Sequence, residues 1–239
     1  MDSIEVVILI FSAIAAFSFF KTWYQPLKSL WPPDRNRISQ IVLGLLPIVF
    51  LGLMIFILRN MASFDVVNDK VFILFYIILG YVWIALGLYL MSLFFDIHLA
   101  YDAIQLNNKA ALAAVTGNFF VLAFIYAGSN VGDGPGWWCV LFAGSLGLAA
   151  WIILGIITNI CTNIFERITV DRDIGCGIRF MIYLICSGVI LGYACSGDWT
   201  SFYMTIIEFS SGWPVLPLTA VYILIELIFK KLSKHEVSA

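Results

Sequence analysis

The chain has 239 residues, of which 62% are hydrophobic and only 12% are charged, and its net charge is −2 at neutral pH. Soluble domains typically carry about 25% charged residues, so this composition excludes a soluble protein and predicts an integral membrane protein. The polar stretches between the apolar segments are all shorter than the roughly 50 residues of a small globular domain. Any chemistry is therefore expected inside a helix bundle or at its two ends.

Seven apolar segments are each close to the roughly 20 residues that a helix needs to cross a bilayer. They are residues 4–20, 38–58, 71–95, 110–126, 137–164, 174–195 and 213–229. An acidic N-terminus, with no small-residue cleavage site after it, identifies the first as a retained helix rather than a secretory signal. Pro47 and Pro217 are expected to kink the second and seventh helices. The fold class predicted is all-α, a polytopic membrane bundle of about seven transmembrane helices.

The positions of the basic residues predict the orientation. All of the 13 Lys and Arg residues except Arg59 and Lys70 fall in four short segments. These segments hold Lys21, Lys28, Arg35 and Arg37; Lys109; Arg167, Arg172 and Arg179; and Lys230, Lys231 and Lys234. Because short loops rich in Lys and Arg stay on the cytoplasmic side, we expect the N-terminus outside and the C-terminus inside.

The segment before the seventh helix is harder to place. Residues 198–209 are amphipathic but too short and too polar to cross the membrane. A helix lying in the outer interface is the first interpretation. A re-entrant segment lining a cavity is the second, because polar backbone is tolerated at depth only where it is buried in protein or wet.

The second half of the chain contains an internal similarity at a spacing of 64 residues. Residues 102–107 align with residues 166–171, and each stretch is an acidic lead-in followed by two apolar helices. This spacing predicts an N-terminal three-helix region (1–99), a first repeat (100–165), a second repeat with the interfacial helix (166–232) and a cytoplasmic tail (233–239). Two crossings in each copy would relate the copies by a pseudo-two-fold axis along the membrane normal.

Together with the stretch Asn108-Lys109-Ala110-Ala111, this lead-in resembles the YjfL-type bacterial membrane domain of unknown function, which is built from two tandem two-helix repeats. The resemblance covers residues 102–229 and leaves the first three helices unmatched. In the second copy the start reads Arg172-Asp173-Ile174-Gly175 and departs from the pattern. The resemblance implies a multi-pass location in the bacterial inner membrane and oligomer-like packing, but no reaction.

Two ionisable residues inside predicted helices are candidates for function, because a charge at membrane depth is costly. Arg179 lies five residues into the sixth helix and Glu226 three residues from the end of the seventh, so the two share a depth. A structural ion pair at the cytoplasmic side is one interpretation, and a gate or proton-linked site is the other.

A second candidate set is polar but uncharged. Thr158, Asn159, Thr162 and Asn163 follow one face of the fifth helix, and Asn118 of the fourth helix could meet that face. Such residues usually join helices by hydrogen bonds, and the alternative is that they line a pore.

Other chemistry has little support in the sequence. Glu208, with Asp198, could act as a carboxylate pair at the outer interface, but their spacing gives no reason to expect contact. The five cysteines show no CxxC pair and the two histidines lie outside the helices, so neither a metal site nor any cofactor is expected.

Two functions remain open at this point. The first is a non-catalytic membrane protein that assembles with copies of itself or with other membrane subunits. The second is a channel or carrier for a small cation, suggested by acidic outer loops and by the Arg179 and Glu226 pair. The expected partners are the lipid bilayer and protein subunits, with no nucleic acid.

Overall fold

The structure is a computed structural model that describes residues 2–29 and 37–237. Within these residues seven helical segments are long and apolar enough to cross a membrane, which confirms the predicted all-α membrane bundle. The elements in chain order are α1 (Ser3–Ser29), α2 (Arg37–Asn60), α3 (Phe64–Asn68), α4 (Lys70–Phe94), a π-helical turn (Leu99–Gln105), α5 (Lys109–Ser129), α6 (Trp137–Thr162), α7 (Ile164–Thr169), α8 (Ile174–Ala194), α9 (Phe202–Phe209), a 3-10 turn (Ser210–Gly212) and α10 (Val215–Val237).

Short connections make successive long helices antiparallel, so the bundle has two ends. The end that contains the α5–α6 and α8–α9 connections is called here the Asp133 end. The other, which contains the lead-ins to α5 and α8, is called the Lys109 end. Of the first predicted basic segment, Arg35 lies outside the described residues.

The first helix continues past the predicted end at Phe20 as far as Ser29. The extension is stabilised because its apolar face packs against the bundle. Trp23 is only 2% exposed, and its ring packs against Phe119 of α5. Much of the rest of α1 is exposed, as expected of a helix that faces lipid.

Helix α5 lies at the centre of the bundle and packs most extensively against α8. Glycines allow the two backbones to touch. A Cβ added to Gly117 would lie 2.8 Å from the Cα atom of Met181, and one added to Gly177 would lie 2.6 Å from the Cα atom of Ala110. Close backbone approach is how helices associate where lipid provides no hydrophobic driving force.

Helix α2 runs unbroken through Pro47, and the side chain of Trp23 replaces the backbone hydrogen bond that the proline removes. Proline has no N–H, so the carbonyl of Leu43 loses its helical donor. The indole Nε1 of Trp23 donates to that carbonyl at 3.0 Å. The hydroxyl of Tyr81 donates to the carbonyl of Pro47 itself at 2.9 Å.

The predicted interfacial segment is helical only from Phe202, because Ser201 caps α9 by accepting a hydrogen bond from the Met204 N–H at 3.2 Å. Asp198 lies in the preceding loop. The chain then continues through the 3-10 turn into α10, so Phe202–Lys231 forms one long apolar segment. Pro214 explains the break, since its ring excludes a regular helix there. Pro217 falls in the first turn of α10, where an N–H has no helical partner anyway, so the break lies before Pro217.

Candidate functional site

The chain reverses sharply between α6 and α8 at the Lys109 end. Asn163 ends α6 in the left-handed region with φ of 55°, and Arg172 adopts the same φ just before α8. Between them α7 buries its apolar face through Ile164, Phe165 and Ile168. Arg167 therefore lies at the edge of the buried face of α7, and its side chain reaches Glu226 of α10.

Four charged side chains meet at this end and are called here the Glu226 cluster: Glu226, Arg167, Arg179 and Asp173. Arg167 donates from Nη1 to Glu226 Oε2 at 2.6 Å. Arg179 donates from Nε to Oε1 at 2.5 Å and from Nη2 to Oε2 at 3.1 Å. Glu226 is 0% exposed, and among the described residues both of its oxygens accept hydrogen bonds from arginines alone.

Asp173 completes the charge balance of the cluster. Its Oδ2 accepts from Nη2 of Arg167 at 2.9 Å, while its Oδ1 caps α8 by accepting from the Cys176 N–H, also at 2.9 Å. Two arginines therefore face two carboxylates. The Arg179 guanidinium also lies 4.2 Å from the centre of the Phe229 ring, in a cation–π contact.

The local contacts of Asp173 shift its ionisation. Partial burial alone would raise its pKa, but the Cys176 N–H and the Arg167 guanidinium outweigh burial and hold the pKa of Asp173 below its ordinary value of 3.8. Hydrogen bonds to a charged carboxylate favour the charged form. The cluster is thus built from charged groups that stabilise one another.

The structure brings together Arg179 and Glu226, the pair singled out in the sequence, and adds two residues that the sequence reasoning missed. In the sequence, Arg167 stands out only as one of the basic residues of a loop between helices. The available signal was the apolar pattern of α7, which fixes the side of the lead-in that faces the bundle.

The uncharged polar set is only partly brought together. Thr158 and Thr162 are fully buried. Asn163 lies beyond the end of α6 and is exposed, so the prediction that it shares their face is wrong, because the left-handed residue turns the chain. Asn159 accepts a hydrogen bond from the Phe165 N–H at 3.0 Å and so ties the end of α6 to α7.

Asn118 meets α6 about two turns away from Thr158. Its Oδ1 accepts from the Trp151 Nε1 at 3.2 Å, and its Nδ2 donates to the Ala114 carbonyl at 2.8 Å. Both ends of the amide are satisfied, and the residue is 0% exposed. The bond from Trp151 joins α5 to α6, whereas the bond to Ala114 lies within α5.

A small polar cavity lies at the Asp133 end. Its volume is about 50 Å³, and the two glycine turns at Gly132 and Gly197 form part of its wall. The turns pair with each other: Gly197 donates from its N–H to the Val131 carbonyl at 3.0 Å, and Asp133 donates from its N–H to Asp198 Oδ1 at 2.8 Å. Glu208 lines the same cavity but is exposed.

Within residues 2–29 and 37–237 no group of three or more His, Cys, Asp and Glu side chains is arranged to hold a metal ion. The five cysteines are all free thiols, three of them buried.

Comparison with known families decides the classification. A family model described as Domain of Unknown Function (DUF350) matches residues 61–195, more than half of the chain. The chain belongs to the DUF350 family. No curated protein and no solved structure matches it.

The DUF350 region begins earlier and ends earlier than the resemblance predicted. It includes α3 and α4, so the third long helix is part of the match rather than outside it, and it stops at Cys195, before α9 and α10. Arg167, Asp173 and Arg179 lie inside the DUF350 region and Glu226 lies outside. The ion pairs of the Glu226 cluster therefore connect the DUF350 region to α10, a helix that the family model does not cover.

Proposed function

We propose that this DUF350 protein is a non-catalytic integral membrane protein that acts by assembly, and that α2 packs against α2 of a second copy. The observation that carries the proposal concerns two glycines. A Cβ added to Gly44 or to Gly52 would have no neighbouring atom within 4 Å. A Cβ added to any other glycine within the long helices would meet a neighbouring atom, and for all of these except Gly175 that atom belongs to another helix or connection.

Glycine inside a helix costs about 1 kcal/mol relative to alanine. Elsewhere in the bundle this cost is offset by the close helix contacts that glycine permits. Gly44 and Gly52 lie eight residues apart and so on one side of α2, between the exposed side chains of Ile41, Ile48 and Ile55. A groove of small residues flanked by isoleucines fits another helix of the same shape.

The rest of the molecule supports a scaffold rather than a moving carrier. Helices α5 and α8 pack with their backbones in direct contact. In the Glu226 cluster, two arginines and two carboxylates balance each other's charge. A carrier usually has discontinuous helices or charged residues near mid-membrane, whereas the Glu226 cluster lies near the helix ends.

Bulky substitutions at the open glycines test this proposal without disturbing the single chain. We expect Gly44→Ile combined with Gly52→Ile to convert an oligomer into a monomer in lipid nanodiscs, measured as the mass of the particle. Ala149→Ile on the exposed face of α6 is the matched control and should leave the mass unchanged. A wild-type chain that is monomeric, or that is held only by a different protein, would contradict self-assembly through α2.

We also propose that the Lys109 end faces the cytoplasm and that the membrane is the bacterial inner membrane. The clustering of Lys and Arg at this end supports that orientation. In a cysteine-free chain, Lys109→Cys and Asp133→Cys place thiols at two exposed positions on opposite ends. An impermeant maleimide added to whole cells should label only the second, and labelling of the first would reverse the orientation.

Recurring backbone features support an internal tandem repeat, with a spacing of 65 rather than 64 residues. Helices α5 and α8 each have 21 residues. Each follows a residue with positive φ, Asn107 and Arg172, and each has a side-chain N-cap, Asn108 and Asp173. We propose that α4 with α5 and α6 with α8 are the two copies, which accords with the extent of the DUF350 match.

A small-cation route is the second candidate function, favoured by the cavity at the Asp133 end. Asp133, Asp198 and Glu208 line this cavity and would attract cations. Purified protein in liposomes would then conduct a cation flux that Glu208→Gln reduces. Absence of flux in oligomeric protein would dismiss this candidate and leave the assembly proposal standing.

A further inference from the structure

Five side chains with hydroxyl groups converge between α6, α8 and α10, one helical turn away from the Glu226 cluster. Tyr183 lies four residues after Arg179, and Tyr222 lies four residues before Glu226. The group is called here the Tyr183 cluster. Its members are Thr158, Tyr183, Ser187, Thr219 and Tyr222.

One complete hydrogen bond lies at the centre of the Tyr183 cluster. The hydroxyls of Tyr183 and Thr219 are 2.9 Å apart. Thr219 uses its own proton to bond the Val215 carbonyl at 2.7 Å, so Tyr183 is the donor to Thr219. The Tyr222 ring stacks on Tyr183 with a centroid distance of 4.4 Å and an interplanar angle of 8°.

The other three hydroxyls are buried without any hydrogen-bond partner among the described residues: Thr158 Oγ1, Ser187 Oγ and the Tyr222 OH. Their residues are 0%, 3% and 5% exposed. Thr158 and Ser187 lie close enough to the Tyr183 hydroxyl to interact with it, but neither reaches bonding geometry.

We propose that the Tyr183 cluster binds water inside the bundle. A buried hydroxyl without a partner is destabilising, and valine, alanine and phenylalanine would fill these three positions with nearly the same shape. The hydroxyls of Thr158 and Ser187 lie beside the Tyr183 hydroxyl, and together these groups from two helices provide the two to four polar partners that a buried water needs.

The composition of the site favours water over a metal ion. A dehydrated cation requires carboxylate or carbonyl oxygens as ligands, whereas the cluster offers neutral hydroxyls. The nearest carboxylate, that of Glu226, already has both oxygens bonded by arginines.

The site lies deep in the bundle. Tyr183 is the tenth of the 21 residues of α8, so the hydroxyls lie about halfway along that helix. Water here would lie near the middle of the span, about one helical turn from the Glu226 cluster. The proposal is independent of self-assembly through α2, because the three helices of the site belong to one chain.

Radiolytic hydroxyl-radical labelling of the wild-type protein in nanodiscs tests the proposal directly, because radicals form from water where it is bound. We expect Tyr183 and Tyr222 to be oxidised several-fold faster than Tyr126. Tyr126 is the matched control, since it is 0% exposed and its hydroxyl donates to the Tyr76 carbonyl at 2.8 Å. Equal labelling of all three tyrosines would overturn the proposal.

Thermal unfolding of Tyr222→Phe, Thr158→Val and Ser187→Ala provides a second test with opposite outcomes. If the hydroxyls bind water, each substitution lowers the Tm, and the triple variant slows oxidation of Tyr183. If the hydroxyls are dry and unpartnered, removing them relieves a penalty and raises the Tm, which would refute water binding.

Discussion

A Cβ added to Gly128 of α5 would overlap the carbonyl oxygen of Gly192 in α8. The reverse substitution is almost as restricted, since a Cβ on Gly192 would lie 2.5 Å from the carbonyl oxygen of Phe124. Backbone faces backbone here, so no side chain can rotate away. The Asp133 ends of the two helices are thereby locked together.

Gly128→Ala is therefore expected to destabilise the bundle by about 3 kcal/mol, the upper end of the usual cost of overpacking. Ala149→Val, at an exposed position of α6 that the proposed α2 interface does not include, is the control and should change the stability by less than about 0.5 kcal/mol. Unfolding in detergent with a denaturant measures both. Equal effects of the two changes would contradict the packing described for α5 and α8.

Glu226→Gln should destabilise the protein by about 3–5 kcal/mol, since it leaves two arginines without the buried carboxylate that they share. Glu166→Gln removes the same charge at an exposed position of α7 and should change the stability by less than about 0.5 kcal/mol. Thermal unfolding of the two variants gives the comparison. A Glu226→Gln variant as stable as the control would mean that the ion pairs contribute nothing.

The contribution of Asp173 should depend on pH in a defined direction. Its folded pKa lies below 3.8, so the stability that it provides is fully present above the unfolded value and is lost as the pH falls through the folded pKa. The Tm difference between wild type and Asp173→Asn should be constant from neutral pH down to about the ordinary Asp value, and should shrink only below it. Asp171→Asn, at an exposed neighbouring position, is the control.

The bond between Trp23 and the Leu43 carbonyl should be coupled to Pro47. Trp23→Phe leaves that carbonyl without a donor and should cost about 1–3 kcal/mol. In a Pro47→Ala background the new backbone N–H can bond the same carbonyl, so Trp23→Phe should cost less. A double-mutant cycle measures this coupling, and purely additive costs would rule out the compensation described for α2.

The sequence was sufficient for the features that depend on local composition. Apolar segments of adequate length predicted the seven long helices, and depth counted along two helices placed Arg179 beside Glu226. It failed where a contact depends on how a connection folds. Arg167 reaches Glu226 only because Asn163 and Arg172 turn the chain, and Asn118 bonds Trp151 because of the offset at which α5 crosses α6.

Length, hydropathy and the positions of lysine and arginine by themselves determined that this chain is a helical membrane protein with a predicted orientation, because insertion into lipid depends on each segment alone. Only the tertiary structure decided next to which glycines another helix packs and next to which the space is empty. It also decided which buried polar atoms have hydrogen-bond partners. Those properties depend on distances between helices, and such distances are fixed by the packing of residues far apart in the chain.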